Sequence, residues 1–174
     1  QEHQENLLEK RNQLDMLIAN VDKTIALAEG RITMSDSEKF AGFKHKMIKD
    51  NEKKYGQEIR AKYGDKKVEE SYQKIKNMSE EQYREWEKLS IEILENLKEA
   101  LEIGDPTSEI AQKTADLHRK WLSYSWGSYS KEAHAGLAQM YVDDERFTAY
   151  YDDQVGEGAS LLLRDAILIH TGQK

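Results

Sequence analysis

The stretch SEEQYREWEKLSIEILENLKEALEIG, residues 79–104, decides the fold. Ser79 and Gln82 are spaced as a capping box, in which each side chain takes up the other residue's free backbone N–H at a helix start. Behind them Tyr83, Trp86, Leu89, Ile93, Leu97, Ala100 and Leu101 recur at spacings of three and four, which places them on one helical face. Gly104 ends the run, because glycine takes the left-handed conformation beyond a helix C-terminus without a Cβ clash. The spacing predicts the longest helix of a helical domain and its central core element.

The same period continues in both directions. Downstream, Asp105-Pro106 punctuates the chain, and Ile110, Thr114, Leu117, Trp121 and Leu122 lead to the aromatic turn Trp126-Gly127-Ser128-Tyr129. Ser130 is placed to cap a helix bearing Ala133, Leu137, Met140 and Tyr141, and another holds Phe147, Tyr150 and Tyr151. After Gly156 and Gly158, residues 159–169 form a last apolar helix that closes the core. Upstream, Ser35 and Glu38 repeat the capping box and open a helix with Phe40, Phe43, Met47 and Ile48. That pattern is expected to fade at Tyr55-Gly56. A short helix over residues 57–63 stops at Gly64, and Asp65 caps a further one with Val68, Tyr72 and Ile75. About eight helical pieces are thus expected, with no strand alternation anywhere.

At the start, Leu7, Arg11, Leu14, Ile18, Val21, Ile25 and Ala28 are spaced alternately four and three, averaging the 3.5 residues of a coiled coil. The narrow stripe favours two helices pairing through Leu7, Leu14, Ile18, Val21 and Ile25 over one helix packed on its own domain, which shows a wider apolar face. Because the chain opens on Gln1, it reads as a truncated form of a longer protein.

Composition narrows the function classes. The absence of cysteine excludes disulfides, thiolate metal sites and cysteine nucleophiles, and suits a reducing cytoplasm. No run approaches the roughly 18 apolar residues of a membrane helix, so a soluble, cytoplasmic protein without a membrane partner is expected. A formal charge of −7 opposes sequence-independent binding to phosphate backbones, so any DNA contact must come from elsewhere. The five histidines make no His-x-x-x-His pair, and phosphate-loop, dinucleotide and serine-elbow motifs are missing. No metal, cofactor or enzyme activity is expected. The acidic group Asp143, Asp144, Glu145 beside Arg146 reads as helix N-terminal stabilisation, and Asp152 and Asp153 read as solvated carboxylates. Eight aromatic residues between Trp121 and Tyr151 exceed what packing alone requires. They either fill a core or line a pocket.

The segment HAGLAQMYVDDERFT, residues 134–148, resembles the antibiotic-recognition domain of TipA-type regulators, a branch of the MerR family. KFAGF (39–43), YGQEIR (55–60), Tyr63-Gly64, MSEEQYREW (78–86), His118-Arg119 and LRDAI (163–167) support the resemblance, which covers roughly residues 36–170. It implies residues 1–30 as a coiled-coil dimerisation helix, 31–35 as a linker, 36–170 as a globin-like all-α drug-binding domain without heme, and 171–174 as a tail. Within that domain residues 36–75 would be a lid and 79–170 the core.

By that resemblance the chain is the effector-binding and dimerisation portion of a transcription regulator. It would bind thiopeptide or other bulky polycyclic antibiotics, form a homodimer, reach DNA only through a missing N-terminal domain, and act on RNA polymerase indirectly. A drug-sequestering resistance protein is the alternative. Thiostrepton-induced members carry a cysteine near the start of the helix bearing the His134 segment; here Tyr129 and Gly136 stand in that neighbourhood, so capture must be non-covalent. The expected ligand contacts are Trp121, Tyr124, Trp126, Tyr129, His134, Tyr141 and Phe147, with Phe40 and Phe43 from the lid. His134 either donates to a ligand carbonyl or is satisfied within the helices.

Overall fold

The computed structural model describes residues 35–174 throughout and, before them, residues 10, 11, 14, 15, 18, 19, 21, 22, 25, 26, 29 and 30. The chain divides into two compact units, Gln1–Phe43 and Lys44–Lys174. From residue 36 the elements are α1 (Asp36–Tyr63), α2 (Asp65–Asn77), α3 (Glu80–Ile103), α4 (Glu109–Ser125), α5 (Lys131–Asp143), α6 (Glu145–Val155) and α7 (Ala159–Thr171). No strand occurs among the described residues. The protein is all-α, as the sequence pattern requires.

In the first unit the described residues from 10 to 26 are helical. Leu14, Ile18, Val21 and Ile25 of the seam are 44–59% exposed, and Leu7 lies outside the described residues. The Ser35 capping box is formed: Ser35 N donates to Glu38 Oε2 at 2.9 Å and Glu38 N to Ser35 Oγ at 3.3 Å. Phe40 and Phe43 stack on each other with ring centroids 6.3 Å apart.

The structure differs from the sequence pattern at three places. Helix α1 does not fade at Tyr55-Gly56 but runs unbroken for 28 residues, so the separate piece at 57–63 does not exist and α1, not the 24-residue α3, is the longest helix of the domain. One glycine costs a helix only about 1 kcal/mol relative to alanine, and here the missing side chain has a use. A Cβ at Gly56 would stand 2.6 Å from Glu52 Cδ, because the Glu52 carboxylate passes over it to meet Arg60 Nε at 2.8 Å. Second, Asp65 is not the cap of α2; Gly64 holds that position, and Asp65 instead receives Arg60 Nη1 at 3.0 Å. Arg60 Nη2 also reaches Glu69 at 2.6 Å, so one guanidinium clasps the α1–α2 turn.

The third correction is Asp152, which is half-buried and caps α7. Its carboxylate accepts from Gly158 N at 3.1 Å and Ser160 N at 2.9 Å. Burial opposes the charge, but these backbone bonds outweigh it and hold the carboxyl below its ordinary range. Gly158 can precede the helix because its φ is +89°, a conformation L side chains rarely adopt.

The core lies where α3, α4, α5 and α7 meet, around Leu97, Leu163 and Ile167. Ala100, Ala111, Ala115, Ala138, Ala159 and Ala166 are buried at these crossings; a methyl side chain lets two backbones approach closely enough for the larger residues to interdigitate. Lys44, itself buried, donates from Nζ to the carbonyls of Lys76 at 2.7 Å and Met78 at 2.6 Å. It thereby occupies acceptors that the end of α2 leaves open. No helix among the described residues is long and apolar enough to cross a membrane.

Candidate functional site

Helix periodicity brings aromatic residues from four helices around a cavity of about 240 Å³ in the second unit. Tyr55 comes from α1, Ile93 and Leu94 from α3, His118 and Trp121 from α4, and Tyr141 from α5. Helix α6 supplies Arg146, Phe147, Tyr150 and Tyr151. Asp144 caps α6 by accepting from Arg146 N at 3.0 Å, which fixes the turn from which these four residues project. The rings contact one another: Tyr141 lies 5.9 Å from Phe147 and 5.0 Å from Tyr151, centroid to centroid. Trp121 is backed by Trp86, stacked at 5.5 Å, whose Nε1 donates to the Trp121 carbonyl at 3.2 Å. Such a wall offers flat apolar faces and few polar groups, the composition of a site for an aromatic ligand.

The buried side of the cavity is polar at one place. His118 Nε2 lies 3.0 Å from Tyr141 Oη, His118 Nδ1 lies 2.9 Å from His134 Nε2, and His134 Nδ1 lies 3.1 Å from Tyr129 Oη. His118 is 1% and His134 0% exposed. Burial, with the neighbouring His134, pushes the His118 imidazole down to about 3. Burial, with His170 and Arg119 nearby, pushes His134 down to about 4. Both are neutral at physiological pH. Burial likewise drives the Tyr141 hydroxyl well above its ordinary value.

The exposed rim is charged. Arg146 Nε and Nη2 donate to Asp144 at 3.0 and 2.6 Å, while Nη1 and Nη2 donate to Glu58 of α1 at 3.2 and 2.8 Å. The guanidinium also sits 5.9 Å from the ring centroids of both Tyr55 and Phe147. Its hydrogen bonds hold the Asp144 carboxyl down at about 2.

The sequence profile of the TipAS antibiotic-recognition domain matches residues 55–170, the stretch that contains every lining residue. The chain belongs to that family. It is 28% identical over 170 residues to the HTH-type transcriptional activator mta of Bacillus subtilis, covering 98% of this chain and 65% of the relative. It is 27% identical over 168 residues to the HTH-type transcriptional activator TipA of Streptomyces coelicolor, covering 95% and 64%. The chain thus spans somewhat less than two thirds of the length of these relatives. Among solved structures it is similar to TipAS from Streptomyces lividans in complex with nosiheptide, with a TM-score of 0.55 and 27% identity over 82% of this chain and 97% of that one. The relatives are named as transcription regulators and an antibiotic-binding domain, not as enzymes.

Within this TipAS-type domain the residues singled out from sequence fall in different places. Trp121, Tyr141 and Phe147 line the aromatic cavity. His134 and Tyr129 lie behind it, joined to it through His118. Trp126 caps α4 and stacks on Tyr129 at 6.5 Å. Tyr124 faces a different, open groove of about 460 Å³ on α3 and α4, where its hydroxyl donates to Glu85 at 2.9 Å. That groove is larger but holds one aromatic ring among Glu85, Lys88, Glu92 and Lys120, so it offers a flat ligand little to stack on. Phe40 and Phe43 belong to the first unit. Reading the sequence missed Tyr55, His118, Arg146, Tyr150 and Tyr151 as lining residues. The ERF triplet at 145–147 and His118-Arg119 pointed to the segments, not to the direction of these side chains.

Proposed function

We propose that the cavity bounded by Tyr55, Trp121, Tyr141, Phe147, Tyr150 and Tyr151 binds an antibiotic non-covalently, and that the chain is the effector and dimerisation part of a MerR-type transcription regulator. The observation that carries the reading is the coincidence of six aromatic rings around one cavity with the span of the antibiotic-recognition profile. Burying roughly 200 Å² of ring surface there supplies about 5 kcal/mol before the costs of association. A thiopeptide is far larger than about 240 Å³, so it would place one heteroaromatic ring in the cavity and the rest of the macrocycle outside. A smaller polycyclic drug would enter whole. With no cysteine in the chain, no thiol adduct contributes.

In this reading residues 1–30 pair two copies through Leu14, Ile18, Val21 and Ile25, residues 31–35 link, and residues 36–170 bind drug, with 36–75 as a lid and 171–174 as a tail. DNA is met only through an N-terminal helix-turn-helix domain outside these 174 residues, in the cytoplasm, and RNA polymerase is affected indirectly. Drug binding switches transcription only if its affinity differs between the two dimer geometries.

Fluorescence from Trp86, Trp121 and Trp126 tests the site. Nosiheptide and a panel of planar tricyclic drugs should include at least one compound giving saturable quenching with a dissociation constant of about micromolar or below. Trp121→Phe should remove most of that signal and weaken binding. Quenching that is unchanged in Trp121→Phe would move the site elsewhere.

A further inference from the structure

Four side chains run head to tail from the half-exposed Tyr129 to the cavity wall: Tyr129, His134, His118 and Tyr141, with successive separations of 3.1, 2.9 and 3.0 Å. Every one of them is ambivalent. A neutral imidazole has one N–H and one lone pair, and a hydroxyl both donates and accepts. All four ring nitrogens face neutral partners of this kind. A carboxylate anywhere in the row would accept only and a guanidinium would donate only, and either would fix its direction. Here two directions satisfy every group. In one, Tyr129 donates to His134 Nδ1, His134 Nε2–H to His118 Nδ1, and His118 Nε2–H to Tyr141 Oη, which leaves the Tyr141 O–H to donate, either to the neighbouring Tyr151 hydroxyl, itself ambivalent, or to a ligand. In the other each bond is reversed, Tyr141 donates to His118 Nε2, and the Tyr141 oxygen is left to accept.

We infer that this relay makes the cavity indifferent to the hydrogen-bonding polarity of its ligand: Tyr141 Oη donates to a ligand acceptor in one state and accepts from a ligand donor in the other, the two imidazoles changing tautomer together. The inference rests on the cavity being the ligand site. The ligand class is a flat aromatic molecule with one polar edge atom of either kind. Interconversion leaves no charge behind. Each proton of the first state passes along its own hydrogen bond: from Tyr129 to His134 Nδ1, from His134 Nε2 to His118 Nδ1, and from His118 Nε2 to Tyr141. The balance closes when one proton is lost at the Tyr141 end while the cavity is empty and one is taken up at the half-exposed Tyr129. A site with a fixed donor would instead leave a buried group unpaired against half of such ligands, at a cost of about tenfold or more in affinity.

The test uses three planar tricycles in alkaline buffer: acridine, whose ring nitrogen only accepts; carbazole, whose N–H only donates; and anthracene, which does neither. Each is titrated into the full chain labelled with ¹⁵N-histidine, and the imidazole nitrogen shifts report which ring nitrogen carries the proton. Acridine and carbazole are expected to bind within about threefold of each other and more tightly than anthracene. With acridine, His118 and His134 should be protonated at Nε2; with carbazole, at Nδ1. Tyr141→Phe should lower both affinities to the anthracene value. The same tautomer pair in both complexes, or a preference above about tenfold for one compound, would overturn the relay while leaving the cavity as the ligand site. Failure of all three tricycles to bind would remove the cavity reading, and the relay with it.

Discussion

The buried wall and the exposed rim of the cavity close the same space by opposite physics. At the wall, His118 and Tyr141 are 1% and 5% exposed and bonded through neutral hydrogen bonds. At the rim, the Arg146 and Glu58 side chains are 54% and 51% exposed and bonded through charge. In the interior a polar group must be partnered or its desolvation is paid in full, whereas water and salt screen a surface ion pair. The wall should therefore set stability and, if the proposed site binds drug, the rim should tune which ligands stay.

Acid is the strongest way to break this contrast. Both imidazoles are held below the ordinary histidine range, at about 3 and about 4, so the unfolded chain binds protons that the folded one refuses. Stability is whole above the unfolded value near pH 6.5 and declines as pH falls toward the folded values. Between about pH 7 and about pH 5 the two groups together should remove about 3–4 kcal/mol, read from urea midpoints at a series of pH values. A midpoint that stays flat across that window would mean the wall is not held neutral. Next in size is Tyr141→Phe, which leaves His118 Nε2 without its partner and should cost about 1–3 kcal/mol in urea unfolding. Arg146→Lys keeps the charge but loses the planar fork that bridges Glu58, Asp144 and two rings. Its thermal midpoint should hardly move, while ligand affinity falls by roughly two- to fivefold. The smallest effect belongs to Tyr124→Phe, which alters the other groove and should change affinity less than about twofold. A larger loss there would extend the site along α4.

The helices were legible because their signals are local. Ser79 accepts from Gln82 N and Gln82 reaches back, as the spacing predicted, and Gly104 ends α3 with φ +72°. Continuation of the helix through Gly56 was not legible for a tertiary reason: the ion pair between Glu52 and Arg60, eight positions apart, crosses that position. The capping role of Asp152 was not legible because the N–H groups its carboxylate caps lie six and eight residues onward, across a glycine turn. Of the cavity, the aromatic density around residues 121–151 was visible, but not which rings face inward. Tyr124 and Trp121 stand three residues apart on one helix and face different spaces. The relay was invisible altogether, since His118 and His134 are 16 residues apart on separate helices.

Lys44 and Arg60 fasten α1 to α2 at two places about 24 Å apart along the longer helix. A helical hairpin held only at its turn frays from its free ends inward, whereas one pinned near both ends has no end from which to fray. Residues 44 to 77 are therefore expected to open as one cooperative block once the Lys74 bonds to the Ser123 and Trp126 carbonyls break, and deuterium should enter their innermost amides at a common rate. Tyr55, which lines the cavity, belongs to that block, so if the proposed site holds a drug, the rate at which the block opens should limit how fast the drug leaves.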